Sequence, residues 1–190
     1  MAQPKASHSR HRIEASFWVP VDIDTVWDFA SRPTNLAKIS PSEWQVRVSH
    51  NGPAYEGAEF EIQLKPPFSP ITIRWGSRIE NVVPSGDERS FEDLQLYGPF
   101  SYWRHTHSFS KGTRDVVAPD GTTLRSLTPG TWIKDQVEYA LPMGLLGDVV
   151  EKLVVSRLLR NMFRDRKHAI LAMLDTLATS AATTSTKETI

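Results

Sequence analysis

Two histidines stand two residues apart in the segment Trp103-Arg104-His105-Thr106-His107-Ser108-Phe109. On a β-strand, residues i and i+2 share a face, so both imidazoles fall on the side that carries Trp103 and Phe109. Two large rings on one side mark it as the inner face. The same parity aligns Phe91, Asp93, Gln95 and Tyr97 on the preceding stretch, and Thr131, Ile133, Asp135, Val137, Tyr139 and Leu141 on the following one. With these faces also inward, Asp93, Gln95, His105, His107, Asp135 and Tyr139 form a polar cluster in a largely apolar space. Leu94 and Leu96 sit opposite, which leaves the parity of the Phe91–Tyr97 stretch open.

Buried polar groups are costly unless paired, and three chemistries meet that demand. The carboxylates and imidazoles can pair with one another as a purely structural network. An Asp–His pair can instead fix one tautomer and poise the imidazole near neutral pH for proton removal beside a carbonyl, the step shared by enolisation, aldol-type cyclisation and dehydration. His-x-His with Asp93 or Asp135 can also supply three metal ligands. Residue types and spacing alone leave all three open; the expectation carried forward is of no metal and no cofactor.

These side chains need a scaffold. His11 lies just ahead of a first strand, Arg12 to Val19, in which Ile13, Ala15, Phe17 and Val19 alternate with polar positions. Asp22 is placed to cap a short helix that Pro33 stops, and Asn35 to Ile39 reads as a second short helix. From Trp44 to Leu141 the period is two, with runs at Trp44–Val48, Phe60–Leu64, Ile71–Ile79, Phe91–Tyr97, Tyr102–Ser110 and Thr131–Leu141, punctuated by Asn51-Gly52-Pro53, Pro66-Pro67 and Gly98-Pro99. Polar outer positions are the mark of an antiparallel sheet with one wet face. A helix over about 145–177 closes the chain. Its apolar stripe runs through Leu146, Val149, Val150 and Leu153, then turns to Leu159, Met162, Phe163, Ile170, Met173 and Leu174, so it bends near Val155 or covers two surfaces. That stripe needs an apolar partner, and the inner face of the sheet is the only one large enough.

Composition narrows the class. The 190 residues suffice for one domain with a real core, and 39% hydrophobic with 23% charged residues is a folding composition. Lys plus Arg and Asp plus Glu both number 22, so the formal charge is zero, which argues against a general nucleic-acid binder. The absence of cysteine excludes disulfides, thiolate nucleophiles and thiolate-bound zinc. No apolar run is long enough to span a membrane, and MAQPKASHSRHR has no apolar stretch behind its basic residues, so a cytoplasmic location is expected. Residues 1–10 and 178–190 read as disordered ends around one domain at 11–177.

The element order, Phe17-Trp18-Val19-Pro20 with Val26-Trp27, and the closing helix resemble the SRPBCC (START-like, helix-grip) superfamily. Two segments are more specific. Gly98-Pro99-Phe100 through Phe109 is similar to the GPFxxWxHxHxF segment of a bacterial cyclase/dehydrase-like or ligand-binding subgroup, and Leu141-Pro142 with Gly144, Leu146 and Gly147 to its LPxGxLG approach to the helix. The resemblance covers about residues 12–175. It implies an α+β helix-grip fold: a curved antiparallel sheet of about seven strands on a long C-terminal helix, with two short helices after strand one. It also implies a cavity for a small, mostly apolar, cyclic or aromatic ligand. His105, His107, Asp93 and Asp135 are then the expected catalytic set, and Gln95, Trp103, Phe109, Tyr139, Phe60 and Trp75 the expected ligand-lining set. The alternatives are a non-catalytic lipid or hydrophobic-metabolite carrier and a regulatory interaction protein; a homodimer also stays open. Residues 110–130 depart from the subgroup's short turn. Their Thr113, Asp115, Asp120, Gly121, Pro129 and Gly130 read as a long loop, expected to serve as a lid or an oligomer contact.

Overall fold

The computed structural model describes residues 10–41, 43–50, 52–118 and 120–142, then 156–157, 159–161, 163–165, 167–168 and 170–172. The elements are β1 (His11–Val19), α1 (Ile23–Ala30), a 3-10 turn (Pro33–Asn35), α2 (Leu36–Ile39), β2 (Gln45–Val48), β3 (Glu59–Lys65), β4 (Ile73–Val83), β5 (Glu88–Tyr97), β6 (Tyr102–Val117) and β7 (Thr123–Ala140). All seven strands join one antiparallel sheet in the order β1-β7-β6-β5-β4-β3-β2. The described residues from 156 to 172 are helical. The architecture is the α+β helix-grip fold.

Local chemistry explains the short elements. Asp22 caps α1, accepting the Thr25 amide at 2.9 Å and the Thr25 hydroxyl at 2.8 Å. Ile23, Val26 and Phe29 form its buried face. Asn35 is buried and its Nδ2 donates to Phe29 O at 2.7 Å, which ties the 3-10 turn to the end of α1. In the C-terminal helix Leu159 and Ile170 are buried while Arg157, Arg160 and Arg164 are exposed. The earlier stripe at 146–153, the bend near Val155, Met162, Met173, Leu174 and both terminal tails lie outside the described residues, apart from exposed Arg10.

The core divides in two. One cluster gathers Phe17, Val19, Val26, Phe29, Phe91, Phe109, Ile133 and Ile170, among others. The other gathers Trp103, Val137, Tyr139 and Leu159, with Trp75, Phe100 and Phe163 packed against it. Along β6, Phe109 belongs to the first and Trp103 to the second, with His105 and His107 between them. A buried polar belt therefore separates two apolar clusters.

Two expectations are corrected. Residues 110–130 are not a long loop. β6 and β7 stay paired from Tyr102↔Ala140 to Val117↔Thr123, with register shifts around Asp115 and Val116. Asp115 Oδ1 accepts the Leu127 amide at 2.8 Å and the Ser126 hydroxyl at 3.2 Å. β5 pairs no further along β6 than Ser110, and β1 no further along β7 than Thr131. Residues 111–117 and 123–130 thus extend as a two-stranded ribbon beyond the sheet. Both faces are largely wet, so the ribbon has no apolar alternation to betray it, and its unpaired edges accept Gly and Pro129. The second correction is Tyr97. A bulge between Gly76 and Ser77 breaks the parity of β5, and Tyr97 turns outward to donate its hydroxyl to Glu61 Oε2 at 2.7 Å. Its ring covers Gly76, where a Cβ would fall 2.3 Å from Tyr97 Cε1.

Candidate functional site

Three neighbouring strands assemble the polar belt. His105 sits across from Asp93 on β5, and His107 across from Asp135 on β7. His105, His107 and Asp135 are each about 5% exposed, and the Asp93 side chain is 18% exposed. His105 Nε2 hydrogen-bonds Asp135 Oδ1 at 3.1 Å, and His107 Nε2 hydrogen-bonds Asp93 Oδ2 at 3.1 Å. The two Nδ1 atoms reach the opposite carboxylates, His105 to Asp93 Oδ2 at 3.4 Å and His107 to Asp135 Oδ1 at 2.9 Å. Each imidazole therefore bridges both carboxylates, and the four side chains close a ring.

The surroundings hold that ring in place. Asp93 Oδ1 accepts Trp103 Nε1 at 3.2 Å and faces Ser77 Oγ at 3.4 Å. The imidazoles lie 3.8 Å apart, centroid to centroid. Phe91 stacks on His107 at 4.3 Å, and Phe163 of the C-terminal helix meets His105 edge-on at 5.5 Å. Burial penalises the Asp93 carboxylate, but hydrogen bonds from His105 and His107 outweigh it and hold its pKa far below the usual carboxylate range. For His105 burial likewise opposes the charged form, and Asp135 and Asp93 outweigh it, so its pKa is raised. An imidazolium between two carboxylates is the species this geometry favours.

A small cavity opens beside the ring. Val26, Phe29 and Ala30 of α1, Phe109 and Ile133 of the sheet and Ile170 of the C-terminal helix form its apolar wall, with His107 and Asp135 as its polar side. Its volume is about 10 Å³, room for about one water molecule. A larger guest must displace α1 or the C-terminal helix. Asp93, His105 and His107 also offer ligand atoms lying within 4.8 Å of one another, the geometry of a metal-binding group among the described residues.

The other expected residues separate by position. Phe109 lines the cavity. Trp103, Trp75 and Tyr139 belong to the second apolar cluster, where Trp75 meets Trp103 edge-on at 4.7 Å. Phe60 packs at the rim of the first cluster near His50. Gln95 holds a turn: its Nε2 donates to Phe100 O at 2.7 Å and its Oε1 accepts the Phe100 amide at 3.3 Å. Trp132 lies on the outer face beneath Arg114, whose guanidinium stands 5.8 Å from its ring. Sequence reasoning missed Val26, Phe29, Ala30, Ile133 and Ile170 as cavity wall. The helical spacing of Val26 and Phe29 marks a buried face, but not what lies across from it.

A curved sheet gripping a C-terminal helix, with a polar belt and a small cavity between them, defines an SRPBCC domain. The chain belongs to the polyketide cyclase / dehydrase and lipid transport family, whose model matches residues 19–163. No curated protein matches the sequence. Among solved structures, norcoclaurine synthase from Thalictrum flavum, in complex with dopamine and hydroxybenzaldehyde, is 16% identical with a TM-score of 0.53, over 87% of this chain and 89% of that one. A Thermus thermophilus protein is 19% identical with a TM-score of 0.55, over 86% and 99%. The major latex-like protein 151 of Panax ginseng is 11% identical with a TM-score of 0.53, over 86% and 97%. At these identities the likeness is one of fold. No helix among the described residues is long and apolar enough to cross a membrane.

Proposed function

We propose that this protein binds a small, mostly apolar cyclic or aromatic carbonyl compound between α1, the sheet and the C-terminal helix. There it catalyses a cofactor-independent cyclisation, dehydration or isomerisation. His107 and Asp135 exchange the proton with the ligand, while His105 and Asp93 complete the ring and keep it charged. The observation that carries this reading is the cavity wall: its polar side is one edge of a buried His–Asp ring and the remainder is apolar. That is the composition of a site that orients an apolar molecule against one acid–base group, and at about 10 Å³ it admits one only as α1 or the C-terminal helix moves aside. Family membership and the dopamine and hydroxybenzaldehyde complex of norcoclaurine synthase are consistent with it.

One observation favours a second reading, a non-catalytic carrier. Every imidazole nitrogen already faces a carboxylate within 3.4 Å, so the ring also serves as a self-contained structural network. The test has two stages. Native mass spectrometry of protein from its own host identifies a retained small molecule. His107→Ala and His105→Ala are then assayed for its binding and turnover. Catalysis predicts that turnover falls by about 100-fold or more while affinity stays within a few fold. Parallel loss of binding and folding, with no turnover by the parent protein, supports the carrier.

A further inference from the structure

We propose that Asp93, His105 and His107 form a binding site for one divalent transition-metal cation of the Zn²⁺ class, with Asp135 fixing both imidazoles from behind. This goes beyond the acid–base reading, because it concerns a different occupant of the ring and requires no substrate.

Distances carry the first part. Around a tetrahedral ion with bonds of about 2.0–2.1 Å, neighbouring ligand atoms stand about 3.3–3.4 Å apart. Two edges of the ligand triangle already have that length: His107 Nε2 to Asp93 Oδ2 at 3.1 Å and His105 Nδ1 to Asp93 Oδ2 at 3.4 Å. Asp93, His105 and His107 each offer a ligand atom within 4.8 Å of the others.

The supporting groups carry the second part. A metal-bound imidazole needs its other nitrogen held, most often by a carboxylate. His105 Nε2 and His107 Nδ1 both lie on Asp135 Oδ1, at 3.1 and 2.9 Å. The remaining Asp93 oxygen takes Trp103 Nε1 at 3.2 Å. Each ligand is thus oriented by a group that is not itself a ligand.

Charge and donor type carry the third part. Asp135, buried, and Asp93, part-buried, bring two negative charges, which one divalent cation cancels. Imidazole and carboxylate donors without thiolate suit Zn²⁺, Co²⁺ and neighbouring ions, and the site has too few oxygens for Ca²⁺. Since a bound nitrogen cannot carry its proton, the ion and the ring protons compete.

The test uses the full chain, stripped with a chelator and titrated with Co²⁺ and then Zn²⁺ at neutral pH. The expected result is one Co²⁺ per chain, bound with proton release and with the intense visible absorption of a low-coordinate site, then displaced by one equivalent of Zn²⁺. Zn²⁺ raises the thermal midpoint of the parent protein, a readout independent of any variant. Asp135→Asn weakens binding about 10–100-fold, Asp93→Asn weakens it further, and His50→Ala, an imidazole far along the chain, binds as the parent does. Absence of stoichiometric Co²⁺ overturns the proposal, as does binding that Asp93→Asn leaves unchanged or that His50→Ala abolishes. Turnover in the presence of chelator judges the acid–base reading separately, so either can fail alone.

Discussion

Replacing Asp93 with asparagine preserves shape and removes a charge that four donors share. In the native ring Asp93 Oδ2 faces His107 Nε2 at 3.1 Å and His105 Nδ1 at 3.4 Å, while Oδ1 faces Trp103 Nε1 at 3.2 Å and Ser77 Oγ at 3.4 Å. An asparagine has one acceptor oxygen. If it turns toward the histidines, its NH2 meets the Trp103 N–H; if it turns toward Trp103, its NH2 meets the imidazoles. The first orientation leaves the Trp103 N–H unmatched; the second makes the facing ring nitrogens acceptors, so the charged imidazolium loses this partner. Hydrogen bonds to a charged group are worth about 1.5–3 kcal/mol each, and removing one partner of a buried ion pair costs about 3–5 kcal/mol. The side chain is only 18% exposed, so solvent does little to relieve the loss. A destabilisation of about 3–5 kcal/mol is expected, a large part of the roughly 5–15 kcal/mol that holds a domain folded. Urea unfolding at slightly acidic pH measures it: with a slope of about 2–3 kcal/mol per M, the midpoint falls by roughly 1–2.5 M. Adding His107→Phe, which can still stack on Phe91, should recover part of the loss, with a coupling of about 0.5–3 kcal/mol. A loss under about 1 kcal/mol at unchanged slope would refute the ring as a coupled unit.

Further outcomes follow from the same geometry. The depressed Asp93 carboxyl contributes stability above its unfolded pKa near 4, lost as pH falls through the folded value; the raised His105 pKa contributes stability below about 6.5, lost as pH rises through the folded value. Chelator-treated protein should therefore be most stable between about pH 4 and 6.5, and a thermal midpoint that climbs steadily from pH 5 to 8 would contradict this. Gly130→Ala places a Cβ 2.2 Å from Val19 O and 2.6 Å from the Trp18 ring, so overpacking should cost about 1–3 kcal/mol at the β1–β7 pairing, read by chemical denaturation. Ile170→Ala should cost about 2–5 kcal/mol and enlarge the cavity beside His107, which uptake of indole followed by calorimetry detects. Replacing residues 114–128 with a tight turn removes mostly exposed ribbon, and the denaturation midpoint should change little, by less than about 1 kcal/mol in stability.

What the sequence alone determined is local. Strand parity placed Trp103, His105, His107 and Phe109 on one side of β6, because a pleated strand leaves its side chains no other choice. The Asp22 cap and the Pro33 stop were equally legible, since each acts within a turn of chain. Apolar alternation also marked every strand that has one wet and one buried face. Tertiary structure decided the rest. Which carboxylate meets which imidazole depends on the registers of β5 and β7 against β6, set by pairings as distant in sequence as Tyr102↔Ala140. The outward turn of Tyr97 depends on a bulge that leaves no mark in composition. The ribbon at 111–130 was unreadable for the opposite reason: wet on both faces, it has no apolar period, so its Gly, Asp and Pro read as loop. The cavity wall needed α1, two strands and the C-terminal helix to be brought together, and no spacing along one chain records that meeting.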